Sequence, residues 1–157
     1  REGHQHDGTY SPGVKAGGMR HRIRKQCGRR HCDEAERKEQ VGEVQDADVL
    51  VIGLPIYNFT LTAQLKNWLD QIARAGLSFR YTEAGPEGLL KGKRAIFAYT
   101  AAGTPFGSDL DFASGYLRHM LGFLGITDVE FVAADGLAFD REAGLARANA
   151  ALENLAA

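Results

Sequence analysis

Apolar residues gather along this chain in two alternating patterns. Asp48-Val49-Leu50-Val51-Ile52-Gly53-Leu54 is a nearly unbroken apolar run closed by Pro55. A run this short and this rich in β-branched residues predicts a strand buried on both faces, as in a parallel sheet. Beyond it, Leu61, Leu65, Trp68, Leu69 and Ile72 recur at i, i+4, i+7, i+8 and i+11, which is one face of a helix. Thr60 or Thr62 can cap its start, and Gly76 can end it in a left-handed turn. The pattern then repeats. Arg94-Ala95-Ile96-Phe97-Ala98-Tyr99-Thr100 predicts a second strand. A helix over 108–124 follows, capped by Ser108, with Leu110, Ala113, Leu117, Met120, Leu121 and Leu124 facing inward and Gly125 breaking it. Residues 129–133 predict a third strand. Asp140 caps a last helix whose inner face is Leu145, Ala148, Leu152 and Leu155. Residues 82–93, with three glycines and a proline, predict a surface excursion, and 33–45 are helix-permissive without an apolar stripe.

Strand and helix alternate three times, with crossovers of helical length. That order predicts an α/β fold, a parallel sheet with helices on its faces. In such sheets ligands bind beyond the carboxyl ends of the strands, so the loops that matter are 55–60, 100–108 and, to a lesser degree, 134–139.

Composition divides the chain. Among 157 residues the net charge is −1, but residues 1–40 hold ten basic and six acidic residues, a net of +4. Four of the five histidines and both cysteines lie there, with Val14, Met19 and Ile23 as the only Val, Ile, Leu, Met or Phe. Such a segment buries little apolar surface and is expected to be disordered, leaving 41–157 as the folded domain. No apolar run approaches the roughly 20 residues of a membrane span. With two cysteines and no apolar leader, the expected setting is the reducing cytoplasm. A near-neutral charge gives no reason to expect nucleic acid or a membrane as partner.

Pro55-Ile56-Tyr57-Asn58-Phe59 sets two aromatics and an amide just past a buried strand. A flat aromatic ligand needs apolar faces to lie on and one or two hydrogen-bonding groups to fix its rotation. The alternative is that Tyr57 and Phe59 plug the end of the core while Asn58 makes a turn. Thr100-Ala101-Ala102-Gly103 carries no base or nucleophile beyond a hydroxyl, but its small residues let a ligand reach backbone amides. His119 is the only histidine after residue 40 and is expected on a helix surface or at a subunit contact. No acid–base set or metal centre is expected in the domain, which suits chemistry carried by a cofactor. In the basic arm, Cys27 and Cys32 with His21 and His31 could be read as a metal site. The run from Met19 to Lys25 could be a nucleic-acid contact, and Gly8-Thr9-Tyr10-Ser11-Pro12-Gly13 a phosphate-holding turn. A solvated tail is the plainer reading of all three.

Pro55-Ile56-Tyr57-Asn58-Phe59 followed by Gln64-Leu65-Lys66-Asn67-Trp68 resembles the FMN-dependent NADH azoreductases, also described as NADH:quinone oxidoreductases. The likeness continues through Ala73-Arg74-Ala75-Gly76, Phe79-Arg80-Tyr81-Thr82-Glu83, Gly85-Pro86-Glu87-Gly88 and Leu121-Gly122-Phe123-Leu124-Gly125-Ile126-Thr127-Asp128-Val129, spanning about residues 42–157. It implies a flavodoxin-like three-layer sandwich. It also implies that Ile56, Tyr57, Asn58 and Phe59 contact the isoalloxazine ring of FMN. The family's second flavin loop commonly reads Ser-Arg-Gly-Gly; Thr100, Ala101, Ala102 and Gly103 stand at those positions, so any arginine contact is lost. Tyr81 and Phe123 match aromatics that line the substrate face, partly across a homodimer interface. The implied reaction is ping-pong hydride transfer from NADH through FMN to a quinone or azo compound. Family members begin with a strand, a serine-rich phosphate loop, a helix and a second strand. Residues 1–40 match none of these, so strands 1 and 2 are expected to be absent and the first apolar strand to lie at an edge. A truncated, non-catalytic relative that only dimerises is the alternative expectation.

Overall fold

The computed structural model describes residues 29–156. The elements are α1 (Arg29–Asp46), β1 (Val49–Pro55), α2 (Ala63–Ile72), β2 (Phe79–Thr82), β3 (Gly85–Gly88), β4 (Arg94–Thr100), α3 (Ser114–Leu124), β5 (Asp128–Ala134) and α4 (Arg141–Ala156). The chain divides into two units, Arg1–Glu36 and Arg37–Ala157. The metal, nucleic-acid and phosphate readings of the basic arm, and its expected disorder, lie outside the described residues.

All three expected strands form and lie parallel in the order β1-β4-β5, with Val49 opposite Arg94 and Arg94 opposite Asp128. Ala95, Phe97 and Tyr99 of β4 are buried on one face with Leu69 and Ile72 of α2 and Leu117, Leu121 and Leu124 of α3. On the other face Val132 and Ala134 of β5 meet Ala148 of α4, with Ile96, Ala151 and Leu155 packed around them. Helices therefore cover both faces of a parallel sheet.

Four expectations need correction. The first strand is not buried on both faces: Val49 is half exposed and Val51 74% exposed. Val51 pairs with Ile96 on the face that α4 covers, but α4 packs on β5 and β4 rather than on β1. As expected, β1 is an edge strand among the described residues. The inner face of α4 is Gly144, Ala148, Ala151 and Leu155, while Leu145 and Leu152 stay exposed. Small residues win that face because the helix comes very close: a side chain on Gly144 would strike the Asp135 carbonyl at 2.7 Å. The third helix begins at Ser114 rather than near Ser108, which leaves Leu110 exposed. Asp111 Oδ1 accepts from the amides of Ala113 and Ser114, both at 3.0 Å, whereas Ser108 closes its own turn by donating to the Pro105 carbonyl. Finally, the excursion at 82–93 begins within an antiparallel hairpin, β2 with β3, in which Phe79 faces Gly88. Thr62, the second of the two cap candidates, caps α2 by accepting from Leu65 N.

Candidate functional site

The three parallel strands end side by side, Pro55 opposite Thr100 and Thr100 opposite Ala134. The pairing continues one step further, with Ile56 N donating to the Thr100 carbonyl (2.8 Å) and Ala101 N to that of Ala134 (3.0 Å). Loops 56–60, 101–108 and 135–140 thus leave one edge of the sheet together, beyond the carboxyl ends of the strands, where open α/β sheets bind ligands.

In the first loop Tyr57 and Thr60 exchange backbone bonds at 3.1 and 3.2 Å around a two-residue turn. Asn58 (φ 49°) and Phe59 (φ 69°) are both left-handed, the geometry of a type I′ turn. Asparagine tolerates that region; a phenylalanine there is strained, and such residues concentrate where a site needs a fixed shape. Phe59 is held by its carbonyl, which accepts from Phe112 N at 3.1 Å. Tyr57 and Phe59 are 64% and 50% exposed, so they do not plug the core.

In the second loop Ala101 is buried while Ala102 and Gly103 are exposed. The Ala101 and Ala102 carbonyls accept from Leu137 N (3.2 Å) and Ala138 N (2.9 Å) of the third loop. Among the described residues no bond engages the amides of Ala102 and Gly103, which leaves two donors at the strand ends. Thr100 is exposed beside them.

Two carboxylates and a phenol that the sequence reading passed over fix this second loop. Asp135 Oδ2 accepts from Phe106 N (2.8 Å) and Oδ1 pairs with Arg147 of α4 (2.6 Å). Burial opposes its charge, but the guanidinium and the amide outweigh burial and hold the carboxyl below its ordinary value. Asp111, besides capping α3, accepts from Gly107 N at 3.0 Å. The buried Tyr99 hydroxyl donates to the Thr104 carbonyl (3.3 Å); burial, with the nearby charges of Asp111 and Asp135, pushes it up to about 12. The sequence signals were weak: an Asp-Gly pair closing a strand, and an aspartate three residues before a helix.

A lowered folded pKa means that Asp135 contributes stability above the ordinary carboxylate range and loses it as pH falls through its folded value. Asp135→Asn is therefore expected to cost about 1–2 kcal/mol at pH 7, from weakened bonds to an amide and a partly solvated guanidinium. The difference from the unchanged chain should shrink toward zero as denaturant melts are taken down to pH 3. A pH-independent difference would remove the clamp's charge from the account.

Tyr81 and Phe123 are brought together elsewhere, through Phe79. The Phe79 ring lies edge-on to Tyr81 at 5.5 Å and tilted against Phe123 at 4.6 Å. Tyr81 is 75% exposed. Among the described residues no ring contact joins this trio to Tyr57 or Phe59. His119 is exposed on α3, as expected. No group of three or more His, Cys, Asp or Glu among the described residues could hold a metal. Nor is any described helix long and apolar enough to cross a membrane.

A parallel sheet with helices on both faces, its loops gathered at the carboxyl edge, defines the class of open α/β folds. Comparison narrows that class to one family. A family model described as the flavodoxin-like fold matches residues 15–157, reaching ahead of the stretch from about 42 that carries the resemblance, and the chain belongs to this family. It is 63% identical over 117 residues to FMN-dependent NADH:quinone oxidoreductase 1 of Jannaschia sp. (strain CCS1), covering 74% of this chain and 61% of that one. The FMN-dependent NADH:quinone oxidoreductase of Cereibacter sphaeroides (strain ATCC 17029 / ATH 2.4.9) is 62% identical over 117 residues, covering 74% of this chain and 60% of its own. Among solved structures, an FMN-dependent NADH-azoreductase from Bacillus anthracis str. Ames Ancestor in complex with FMN aligns with a TM-score of 0.73 and 31% identity. That alignment covers 88% of this chain and 69% of the azoreductase. The chain spans about three fifths of the length of the relatives it matches.

The residues present suit the ring half of FMN. Exposed aromatic faces at 57 and 59, the Asn58 amide and two unengaged backbone donors match a planar conjugated ring with a polar rim. Loops 56–60, 100–108 and 135–140 contain no lysine or arginine for a phosphate.

Proposed function

We propose that this chain is an FMN-dependent NADH reductase of quinones and azo compounds. The observation that carries the reading is the double left-handed turn at Asn58 and Phe59, which displays two rings to solvent at the same sheet edge as the amides of Ala102 and Gly103, unengaged among the described residues. The flavin, when bound, supplies two-electron transfer, taking a hydride from NADH and reducing a quinone or azo compound in a ping-pong cycle. Ile56, Tyr57, Asn58 and Phe59 hold the ring, with the Asn58 amide fixing its rotation. Thr100, Ala101, Ala102 and Gly103 bring backbone donors to its rim. The strained turn and the Asp135 clamp keep these loops in shape before any ligand arrives, which lowers the ordering cost of binding. No side chain is asked to act as acid or base.

Tyr81 and Phe123 line the acceptor's side of the site. Since they stand apart from Tyr57 and Phe59 within one chain, the reading has them reach a site of the second subunit in a homodimer. A cytoplasmic setting, where NADH is available, completes it. A second reading, a relative that dimerises without turnover, draws on the missing cations at the strand-end loops.

Titration of the purified chain with FMN, followed by flavin fluorescence, separates the two. Binding at micromolar or tighter affinity is expected. No quenching at high micromolar FMN would leave the dimer-only reading standing.

A further inference from the structure

The loop that follows β5 ends in a side chain with no partner in its own helix. Asp140 caps α4 by accepting from Ala143 N at 2.9 Å. The residue before such a cap commonly packs on the fourth residue of the helix, a staple that fixes how the chain enters. Here the residue before the cap is Phe139 and the fourth helical residue is Gly144, which has no side chain to meet it. Gly144 is needed for another reason, since a Cβ would strike both the Asp135 carbonyl (2.7 Å) and Leu137 Cδ2 (2.9 Å).

Freed from the helix, the Phe139 ring stands over the second loop of the candidate site. A methyl added at Gly103 would touch Cε2 of the ring at 3.4 Å and Cζ at 3.6 Å. The backbone beneath the ring is fixed. Phe139 N and Asp140 N both donate to the Gly136 carbonyl, at 2.9 and 3.0 Å, while Gly136 itself is left-handed at φ 66°. Leu137 N and Ala138 N are spent on the carbonyls of Ala101 and Ala102. Yet the ring is 84% exposed, more than any other large apolar side chain described. Burying a phenylalanine takes on the order of 150 Å² or more of surface out of water, so a well-anchored but uncovered ring holds that gain in reserve for whatever lies on it. It also lies against Gly103, whose amide, like that of Ala102, finds no acceptor among the described residues.

From this we infer that Phe139 is a third aromatic wall of the ring site, opposite Tyr57 and Phe59 across the sheet edge. It contacts a planar conjugated ring, either that of the flavin or that of the acceptor. This rests on the flavin reading above and extends it to a residue outside the resemblance's site positions.

The test compares Phe139→Ala and Phe139→Tyr with the unchanged chain, by FMN titration under flavin fluorescence and by steady-state kinetics with a simple benzoquinone. An exposed ring is not needed for folding, so all three should share one melting temperature. If the ring contacted is the flavin's, Phe139→Ala weakens FMN binding about 3–10-fold, the range expected of one aromatic contact, and Phe139→Tyr restores it. If it is the acceptor's, FMN affinity holds while the quinone KM rises by a similar factor at unchanged kcat. Phe139→Ala that binds FMN and turns over quinone like the unchanged chain overturns the inference alone. An unchanged chain that takes up no FMN overturns the functional reading, and this inference falls with it.

Discussion

Replacing Gly88 with alanine is expected to destabilise the folded chain by about 3 kcal/mol or more, the range of a core steric clash that no rotamer relieves. A Cβ at Gly88 would lie 2.2 Å from Gly125 N, 2.4 Å from the Leu124 carbonyl carbon and 2.5 Å from Gly125 Cα. All three atoms are backbone: two belong to Gly125, the left-handed residue that ends α3 (φ 104°), and one to Leu124 just before it. The helix end cannot slide away, because Leu90 N donates to the Leu124 carbonyl at 2.9 Å and Leu89 N to that of Ser78 at 2.9 Å. For a domain of this size the loss should lower the melting temperature by about 10 °C or more. Gly115→Ala is the matched control. Nothing lies within 4 Å of its added methyl, and alanine favours a helix, so that variant should melt at or above the unchanged chain. Equal melting of Gly88→Ala and the unchanged chain would mean that the hairpin and α3 do not meet backbone to backbone.

Asn58→Ala is expected to weaken FMN binding about 30-fold. Two effects of about 1 kcal/mol each contribute: loss of a side-chain hydrogen bond to the ring, and the cost of holding a residue with a bare Cβ at φ 49°. Asn58→Gly separates them. Glycine adopts the left-handed turn freely, so it removes only the amide and should weaken binding about 5-fold. The order of affinities, asparagine over glycine over alanine, is the signature of a turn that positions one amide. Equal affinity of alanine and asparagine would show that the loop does not hold the ring.

The strands were legible because each is an apolar run too short for a helix and bounded by Pro55, Gly125 or a small-residue loop. The topology rule also anticipated that loops 56–60, 101–108 and 135–140 leave one edge of the sheet together. What stayed hidden depends on partners distant in sequence. Nothing near Asp135 announces that it will accept from Phe106, 29 residues away. Phe79–Thr82 and Gly85–Gly88 escaped notice as strands because only Phe79 among them is buried, so no alternation marks the hairpin. Ser108 is a good cap by type, yet Asp111 stands closer to the true start of α3 and takes the role. In α4 the spacing placed Ala148 and Leu155 correctly but added Leu145 and Leu152, which stay outside because Gly144 and the alanines bring that helix near the sheet.

The parallel order of the sheet also sets the sequence of events by which it assembles. Val49 meets Arg94, and Arg94 meets Asp128, only after long crossovers have closed, whereas the Thr82–Gly85 turn joins its strands across two residues. Local contacts form in microseconds, and non-local strand pairing waits for loop closure before any bond rewards it. The hairpin is thus the early element and β1 a late arrival, since the crossover that joins it to β4 is the longer of the two. Until it docks, Val49-Leu50-Val51-Ile52 is an uncharged, β-branched segment open to pairing with another chain. Refolding at low protein concentration should accordingly give a higher yield than refolding at high concentration, with the deficit set by the competition between docking and aggregation.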